Sequence, residues 1–303
     1  MDVKIKDLRF LSQISSFIVL NLGIFGVPLL PLLLPVVECT SLDSKIVLCN
    51  FGVLLRNFSL AWEVSPLIPL ASISMFILFG AVFGRALCGW VCPLGLVQDL
   101  ITKVTERVSE VRDILAEKTH YMLTSLKYIV LLVSLAPVIS ISLAFGLNRL
   151  LGRKYAYTLG VCGQAPYCII CPVPVIFSTI PSIAGTLLNG SPLQPMPFTT
   201  YIALAFFVVF LGASILGKRS WCRYLCPLGA LMSLFNRFSL LHITKETHKC
   251  TAFCRGHQKD CVDTCPMGIK VSESQEPSAN PECIYCYDCS DSCTNKAIRV
   301  KIA

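Results

Sequence analysis

The sequence has few charged residues for its length. Asp, Glu, Lys and Arg make up 15% of the 303 residues, where ordinary soluble domains hold about 25%. Hydrophobic residues reach 54%, and the mean hydropathy is +0.67. This balance excludes an ordinary soluble domain and predicts an integral membrane protein with a soluble tail. The net charge is +8. The basic residues that produce it lie beside the apolar segments, where membrane topology explains them better than nucleic-acid binding does.

Histidine and nucleotide-binding motifs are also scarce. The four histidines, His120, His242, His248 and His257, lie outside the middle of every apolar segment, so paired axial ligands for a membrane haem are missing. The sequence contains no C-x-x-C-H, no P-loop and no dinucleotide fingerprint, which argues against c-type haem and nucleotide-driven chemistry. No carboxylate lies within the apolar segments, and we expect Asp99 to be a solvated loop charge.

Cysteine, in contrast, is abundant, with 17 residues in the chain. The last four cysteines are spaced C-x2-C-x2-C-x3-C, which is typical of a [4Fe–4S] cluster. In two-cluster ferredoxins the fourth cysteine of each run binds the other cluster. That rule predicts two ligand sets: Cys283, Cys286, Cys289 with Cys265, and Cys250, Cys254, Cys261 with Cys293. Zinc bound by four cysteines is the alternative.

Four further cysteines form two copies of one motif, C-x3-C-P-L-G, here called the CPLG motifs. The copies lie at Cys88/Cys92 and Cys222/Cys226, within the repeats GRALCGWVCPLGL and KRSWCRYLCPLGAL. The spacing places both thiols of a copy on one face of a helical turn. We expect the two halves to face each other across a pseudo-two-fold axis and bring the four thiolates together. They would then share a further cluster or act as redox dithiols.

The predicted fold is mainly α. It consists of a four-helix integral membrane domain over residues 1–240, followed by an α+β ferredoxin-like domain with two clusters over residues 241–303. Predicted spans are about 10–27, 66–83, 121–145 and 198–216, with a proline-broken re-entrant or surface segment at about 155–183. With the N-terminus inside, fourteen Lys and Arg residues lie inside against five outside. This bias predicts a multi-pass protein of the cytoplasmic membrane, with the CPLG motifs and the tail on the cytoplasmic side.

A third group of cysteines is predicted on the outer side. Cys162, Cys168 and Cys171, with Cys39 or Cys49 as a fourth ligand, would hold a cluster near the outer face. A disulfide bond in an oxidising exterior is the alternative.

The sequences CGWVCPLG and CRYLCPLGAL, each after an apolar segment and followed by the cysteine-rich tail, resemble the NapH-type membrane iron–sulfur proteins. The resemblance covers roughly residues 65–303. It implies cluster-ligand roles for the eight tail cysteines and a redox role for Cys88, Cys92, Cys222 and Cys226. Two features depart from the family pattern: the irregular spacing of the first tail run, and Thr294 where proline usually follows the last cysteine.

The favoured function is an electron-transfer subunit of a quinone-linked oxidoreductase complex. It would pass electrons between the membrane quinone pool and a redox partner docked on the tail. Trp90, Trp221 and Tyr224, beside the CPLG motifs, are candidate contacts for a quinone headgroup. The alternative function is a maturation factor that reduces a metal or a thiol on a partner protein. A passive anchor is disfavoured because it has no need of so many cysteines.

Overall fold

The computed structural model describes residues 5–21, 40–42, 46–48, 67–108, 122–136, 170–190, 198–250, 261 and 264–302. Two of the cysteines predicted at the outer site, Cys162 and Cys168, lie outside the described residues, as do Cys39, Cys49 and the tail cysteine Cys254. The parts of the predicted segments at 22–27, 137–145 and 155–169 also lie outside them.

The described part of the chain is mainly helical, which confirms the predicted class at that level. Its helices are α1 (Ile5–Asn21), α2 (Leu67–Phe83), α3 (Ala86–Trp90), α4 (Pro93–Val108), α5 (Met122–Ala136), α6 (Pro172–Leu188), α7 (Phe198–Leu216), α8 (Ser220–Tyr224), α9 (Pro227–Ser233) and α10 (Asp288–Asp291). Within α6 the backbone widens to a π-helical stretch at Val175–Thr179. A short 3₁₀ helix covers Pro277–Ala279.

One described helix, α7, is both long and apolar enough to cross a membrane. Its 19 residues have a mean hydropathy of 2.2, and at about 1.5 Å per residue they extend roughly 28 Å, close to the thickness of a hydrocarbon core. The apolar helices α2, α5 and α6 are shorter in their described parts. The four-helix membrane domain therefore stays a prediction.

Helix α1 differs from its predicted span, because it begins at Ile5 rather than Phe10. Its polar residues Arg9 and Gln13 are buried, with exposed fractions of 6% and 1%. They form hydrogen bonds with Asp99 and with groups near the CPLG motifs. Arg9 precedes the predicted span, and its hydrogen bonds hold this first part of the helix against the protein. An apolar run in the sequence gives no sign of such contacts.

The two CPLG repeats have the same local structure. Between the end of a long helix and a five-residue helix that carries the first cysteine lies one residue with left-handed φ, Gly84 (+53°) in the first copy and Arg219 (+48°), one position further along, in the second. In each copy one carbonyl, of Leu87 or Trp221, accepts hydrogen bonds from two successive amides at 3.0 Å. The next helix then starts at the motif proline, where no N–H donor is needed. The sequence repeat is therefore also a structural repeat.

The described residues form two apolar cores. The first packs α2, α4, α6, α7 and α9 around fully buried residues such as Leu94, Val173 and Leu228. The second lies in the tail around Ile243 and Ile284. Tail strands β3 (Leu241–Lys245) and β4 (Ile298–Ile302) pair antiparallel. A separate antiparallel pair joins β1 (Thr40–Leu42) and β2 (Ile46–Leu48).

Candidate metal centres

A cavity in the tail, here called the proximal cavity, is lined by four cysteines. They are Cys265, Cys283, Cys286 and Cys289, the first of the two sets that the spacing predicts. All four are buried. The apolar side chains of Ile243, Met267 and Ile284 complete much of the lining, so the cavity suits a soft, sulfur-rich group rather than a hydrated ion.

The backbone around the proximal cavity is shaped to surround it. Tyr285 and Tyr287, between the clustered cysteines, have left-handed φ angles of 52° and 61°, which is uncommon for residues other than glycine and reverses the chain sharply. The amide of Ile269 donates to the Cys265 sulfur at 3.4 Å. Burial raises the pKa of the Cys283 thiol to about 12. A bound cation or metal cluster is what stabilises thiolates in such surroundings.

A second cavity, the distal cavity, is lined by the other described tail cysteines, Cys250, Cys261 and Cys293. The amide of Ala297 donates to the Cys293 sulfur at 3.3 Å. Val271 lines both cavities, so the two sites adjoin across a single residue. Adjoining sites of this kind are suited to passing an electron from one to the other.

The zinc alternative is not decided by the described ligands. Among the residues that the structure describes, no group of three His, Cys, Asp or Glu side chains is placed to hold a single ion. Cysteines that surround a cavity fit a cluster, and tetrahedral zinc would need its sulfurs within about 4 Å of each other.

The structure also brings the four CPLG cysteines into one electrostatic neighbourhood, here called the motif site. Burial raises the pKa of the Cys226 thiol well above its ordinary value, and the nearby thiols of Cys222, Cys88 and Cys92 raise it further. Cys92, Cys222 and Cys226 are each no more than 6% exposed. Burial raises the pKa of the Cys222 thiol to about 11, although Arg219 opposes this shift. Gln98 donates to the Cys222 sulfur at 3.1 Å.

Each repeat contributes an arginine to the other repeat. Arg85 of the first copy donates to the Cys222 carbonyl at 3.3 Å, and Arg219 of the second donates to the Cys88 carbonyl at 3.1 Å. Both arginines are fully buried. Sequence reasoning missed this exchange, although its signal is an arginine three residues before the first cysteine in both copies.

Asp99 is a correction to the sequence analysis, because it is buried rather than solvated. It accepts two hydrogen bonds from Arg219, at 2.7 and 2.6 Å, and others from Arg9 and Gln13 at 3.4 and 3.1 Å. Burial alone would raise the Asp99 pKa, but the two guanidinium groups hold it below its ordinary value. Asp99 therefore acts as a fixed negative charge.

The proximal cavity is docked directly on the CPLG motifs. The Trp90 indole donates to the Tyr285 carbonyl at 2.8 Å, between two cavity cysteines. In the second repeat, Arg223 donates to the Pro266 carbonyl at 2.9 Å, next to Cys265. Both motifs therefore touch the loops that carry the proximal cysteines.

The other residues predicted at the sites are also placed. Trp221 is 3% exposed and packs edge-on against Phe210 with ring centroids 5.8 Å apart. Tyr224 is buried, and Trp90 is engaged with the tail. Trp221 and Tyr224 are therefore enclosed by protein, whereas Trp90 is half-buried, and the quinone contacts of all three stay a prediction. Cys171 is buried in the same apolar core as Cys92.

Comparison with known proteins supports the chemistry of these sites. A family model described as a 4Fe-4S binding domain matches twice, over residues 65–112 and 199–246, and each match contains one CPLG motif. The chain is 29% identical to the uncharacterized protein MJ0750 of Methanocaldococcus jannaschii over 84% of this chain and 87% of that protein. It is 23% identical to the ferredoxin-type protein NapH of Haemophilus influenzae, over 77% and 68%.

A third relative is the regulatory protein NosR of Stutzerimonas stutzeri, at 25% identity over 69% of this chain but only 23% of NosR. No solved structure matches the chain. The matches show that the chain is similar to 4Fe-4S proteins of the ferredoxin type. The resemblance to the NapH-type proteins with paired CPLG motifs is confirmed.

Proposed function

We propose that the chain relays electrons between the membrane quinone pool and a redox partner subunit through three cluster sites in a row. The first is the motif site, the second the proximal cavity and the third the distal cavity. The observation that carries the proposal is the direct contact of both CPLG motifs with the loops of the proximal cavity, at Trp90–Tyr285 and Arg223–Pro266.

The residues at each site fit a [4Fe–4S] cluster. Soft cysteine ligands, apolar walls and amide donors to sulfur are the features that hold such clusters and set their potentials. The proximal ligands would be Cys265, Cys283, Cys286 and Cys289. The distal ligands would be Cys250, Cys254, Cys261 and Cys293. The motif site would be shared by Cys88, Cys92, Cys222 and Cys226. A bound cluster supplies one-electron transfer, while the chain fixes the spacing and excludes water.

The burial of the CPLG cysteines supports clusters over dithiols. Thiol–disulfide exchange requires that a partner thiol reaches the sulfur. Cys92, Cys222 and Cys226 are almost completely enclosed, and an enclosed pair reacts poorly with a protein substrate. The maturation-factor alternative is therefore less favoured.

Membrane location and orientation belong to the same proposal. Helix α7 runs directly into the second motif, and its apolar side chains, such as Val208 and Val209, are exposed at 67% and 62%, as lipid-facing residues would be. We place the N-terminus, the CPLG motifs and the tail on the cytoplasmic side. An outer cluster at Cys162, Cys168 and Cys171 remains part of the prediction.

The test is quinone-dependent reduction of the tail. The protein would be purified anaerobically and placed in lipid nanodiscs. Oxidised protein would be mixed with quinol, and reduced protein with quinone, and the clusters would be followed by absorbance and EPR. We expect exchange in wild type and its loss in Cys88→Ser, whose tail clusters still respond to dithionite. Equal exchange in wild type and Cys88→Ser would refute the relay through the motif site.

A further inference from the structure

Each of the two buried arginines beside the CPLG motifs contacts the repeat to which it does not belong. We propose that Arg85 and Arg219 are positioning residues that lock the two motifs into one four-cysteine site. Each would do so by fixing the backbone at the first cysteine of the opposite repeat. This inference rests on the proposed function of the motif site and adds the element that assembles it.

The reciprocity of the contacts is the first argument. Arg85 reaches the Cys222 carbonyl and Arg219 reaches the Cys88 carbonyl, and these carbonyls occupy equivalent positions of the two copies. A single such bond would be an ordinary way to satisfy a buried donor. Two equivalent bonds, one in each direction, instead tie each copy to the other at the residue that carries a thiol.

The motif glycines make room for the exchange. A Cβ atom on Gly95 would lie 3.0 Å from the Cys88 carbonyl oxygen and 3.3 Å from Arg219 Nη2. A Cβ on Gly229 would lie 3.0 Å from Arg85 Nη2. The glycine of each CPLG motif is therefore a close-approach position for the arginine of the other repeat.

Each arginine also donates to a carboxylate, and this leaves another of its guanidinium N–H groups to donate to the cysteine carbonyl of the other repeat. Arg219 donates through Nε and Nη2 to Asp99 while Nη1 reaches Cys88. Arg85 donates through Nη1 to Glu282 at 3.1 Å while Nη2 reaches Cys222. Only a guanidinium presents donors in this fixed, divergent arrangement, whereas a lysine ammonium is a point charge on a flexible stem.

The two anchors differ in origin, and this links the tail to the motif site. Asp99 lies on α4, directly after the first motif. Glu282 belongs to the tail and precedes the predicted ligand Cys283; it is also paired with Lys127 of α5. Docking of the tail therefore supplies the carboxylate that holds Arg85, whereas Arg219 is held within the helical part.

The test measures proximity of the thiols in iron-free protein, so it does not depend on cluster function. Because Cys92, Cys222 and Cys226 are enclosed, a short, membrane-permeant bifunctional thiol reagent is incubated with the full-length apoprotein until these thiols have reacted. Mass spectrometry then quantifies the fraction of peptides that join Cys88 or Cys92 to Cys222 or Cys226. We expect bridging in wild type and a several-fold loss in Arg85→Lys and Arg219→Lys. The exposed Arg107→Lys, on α4, is the matched control and should bridge like wild type.

A double variant guards against simple unfolding. Arg219→Gln with Asp99→Asn removes both buried charges together, and circular dichroism checks that it folds. We expect the folded double variant to lose cross-repeat bridging as well. Glu282→Gln should reduce bridging, whereas Glu106→Gln, an exposed partner of Lys218, should not.

The outcomes separate this inference from the proposed function. Bridging at wild-type levels in both lysine variants, or no bridging in wild type, would overturn the positioning role. Bridging that depends on the arginines in a protein that never takes up iron at the motif site would support the positioning role and refute the cluster there.

Discussion

Among the described glycines, Gly89 is the one at which an added Cβ atom would come closest to another atom, and that atom belongs to the docked tail. Gly89 lies on the short helix α3, and an added Cβ would come 2.3 Å from the backbone oxygen of Ile284. Since that neighbour is backbone rather than a flexible side chain, Gly89→Ala must push the tail away from the motif. The Trp90–Tyr285 hydrogen bond, one residue along on both sides, would be stretched with it.

The expected size of this effect combines three terms. Overpacking costs about 1–3 kcal/mol, and loss of the indole hydrogen bond costs about 0.5–1.5 kcal/mol. Alanine in place of a helical glycine returns about 0.5–1 kcal/mol. A central value is about 2 kcal/mol weaker docking, roughly a 30-fold shift in the docking equilibrium.

Hydrogen exchange of the tail in detergent measures that shift. We expect amides of residues 264–302 to exchange roughly 30-fold faster in Gly89→Ala. The control is Gly212→Ala on α7, where a Cβ meets no atom within 4 Å; it should leave tail exchange unchanged. If the tail amides exchange at the same rate in Gly89→Ala and in Gly212→Ala, the docked arrangement is wrong.

Three further perturbations follow from the sites. Trp90→Phe should weaken tail docking by about 0.5–1.5 kcal/mol in the same exchange assay. Trp221→Phe should lose no such bond, because the Trp221 indole N–H has no hydrogen-bond partner among the described residues. Asp99→Asn leaves a buried guanidinium without its carboxylate, so denaturant titration should show a loss of about 3–5 kcal/mol at neutral pH, with the exposed Asp7→Asn unchanged. Because the folded Asp99 pKa is lowered, its stabilisation is complete above the ordinary pKa of about 3.9 and is lost only as the pH falls further, through the folded value. Cys265→Ser should remove about four irons per chain and abolish the EPR interaction between the tail clusters; an unchanged iron content would contradict its assignment.

Local spacing explains what could be predicted from the sequence. The intervals between tail cysteines fix which thiols share a loop, and the proximal cavity groups Cys265 with Cys283, Cys286 and Cys289 in the predicted set. The strand at 298–302 follows from its alternating residues. Helix α7 is an uninterrupted apolar run, so its length is read directly from the sequence.

Contacts between distant segments could not be predicted in the same way. Asp99 looks like a loop charge in the sequence because its partner Arg219 is 120 positions away. Trp90 is a candidate quinone contact in the sequence, and the acceptor of its indole N–H lies 195 positions away. The repeat indicates that the motifs correspond, but only the packed structure shows that each arginine serves the other copy.

Iron and acid-labile sulfide per chain, measured after anaerobic purification in detergent, test the three-site relay most directly. With clusters at the motif site, the proximal cavity and the distal cavity, we predict about twelve of each, and about sixteen of each if the outer site also holds a cluster. About eight of each, from two four-iron clusters, would contradict the relay by leaving the motif site without a cluster.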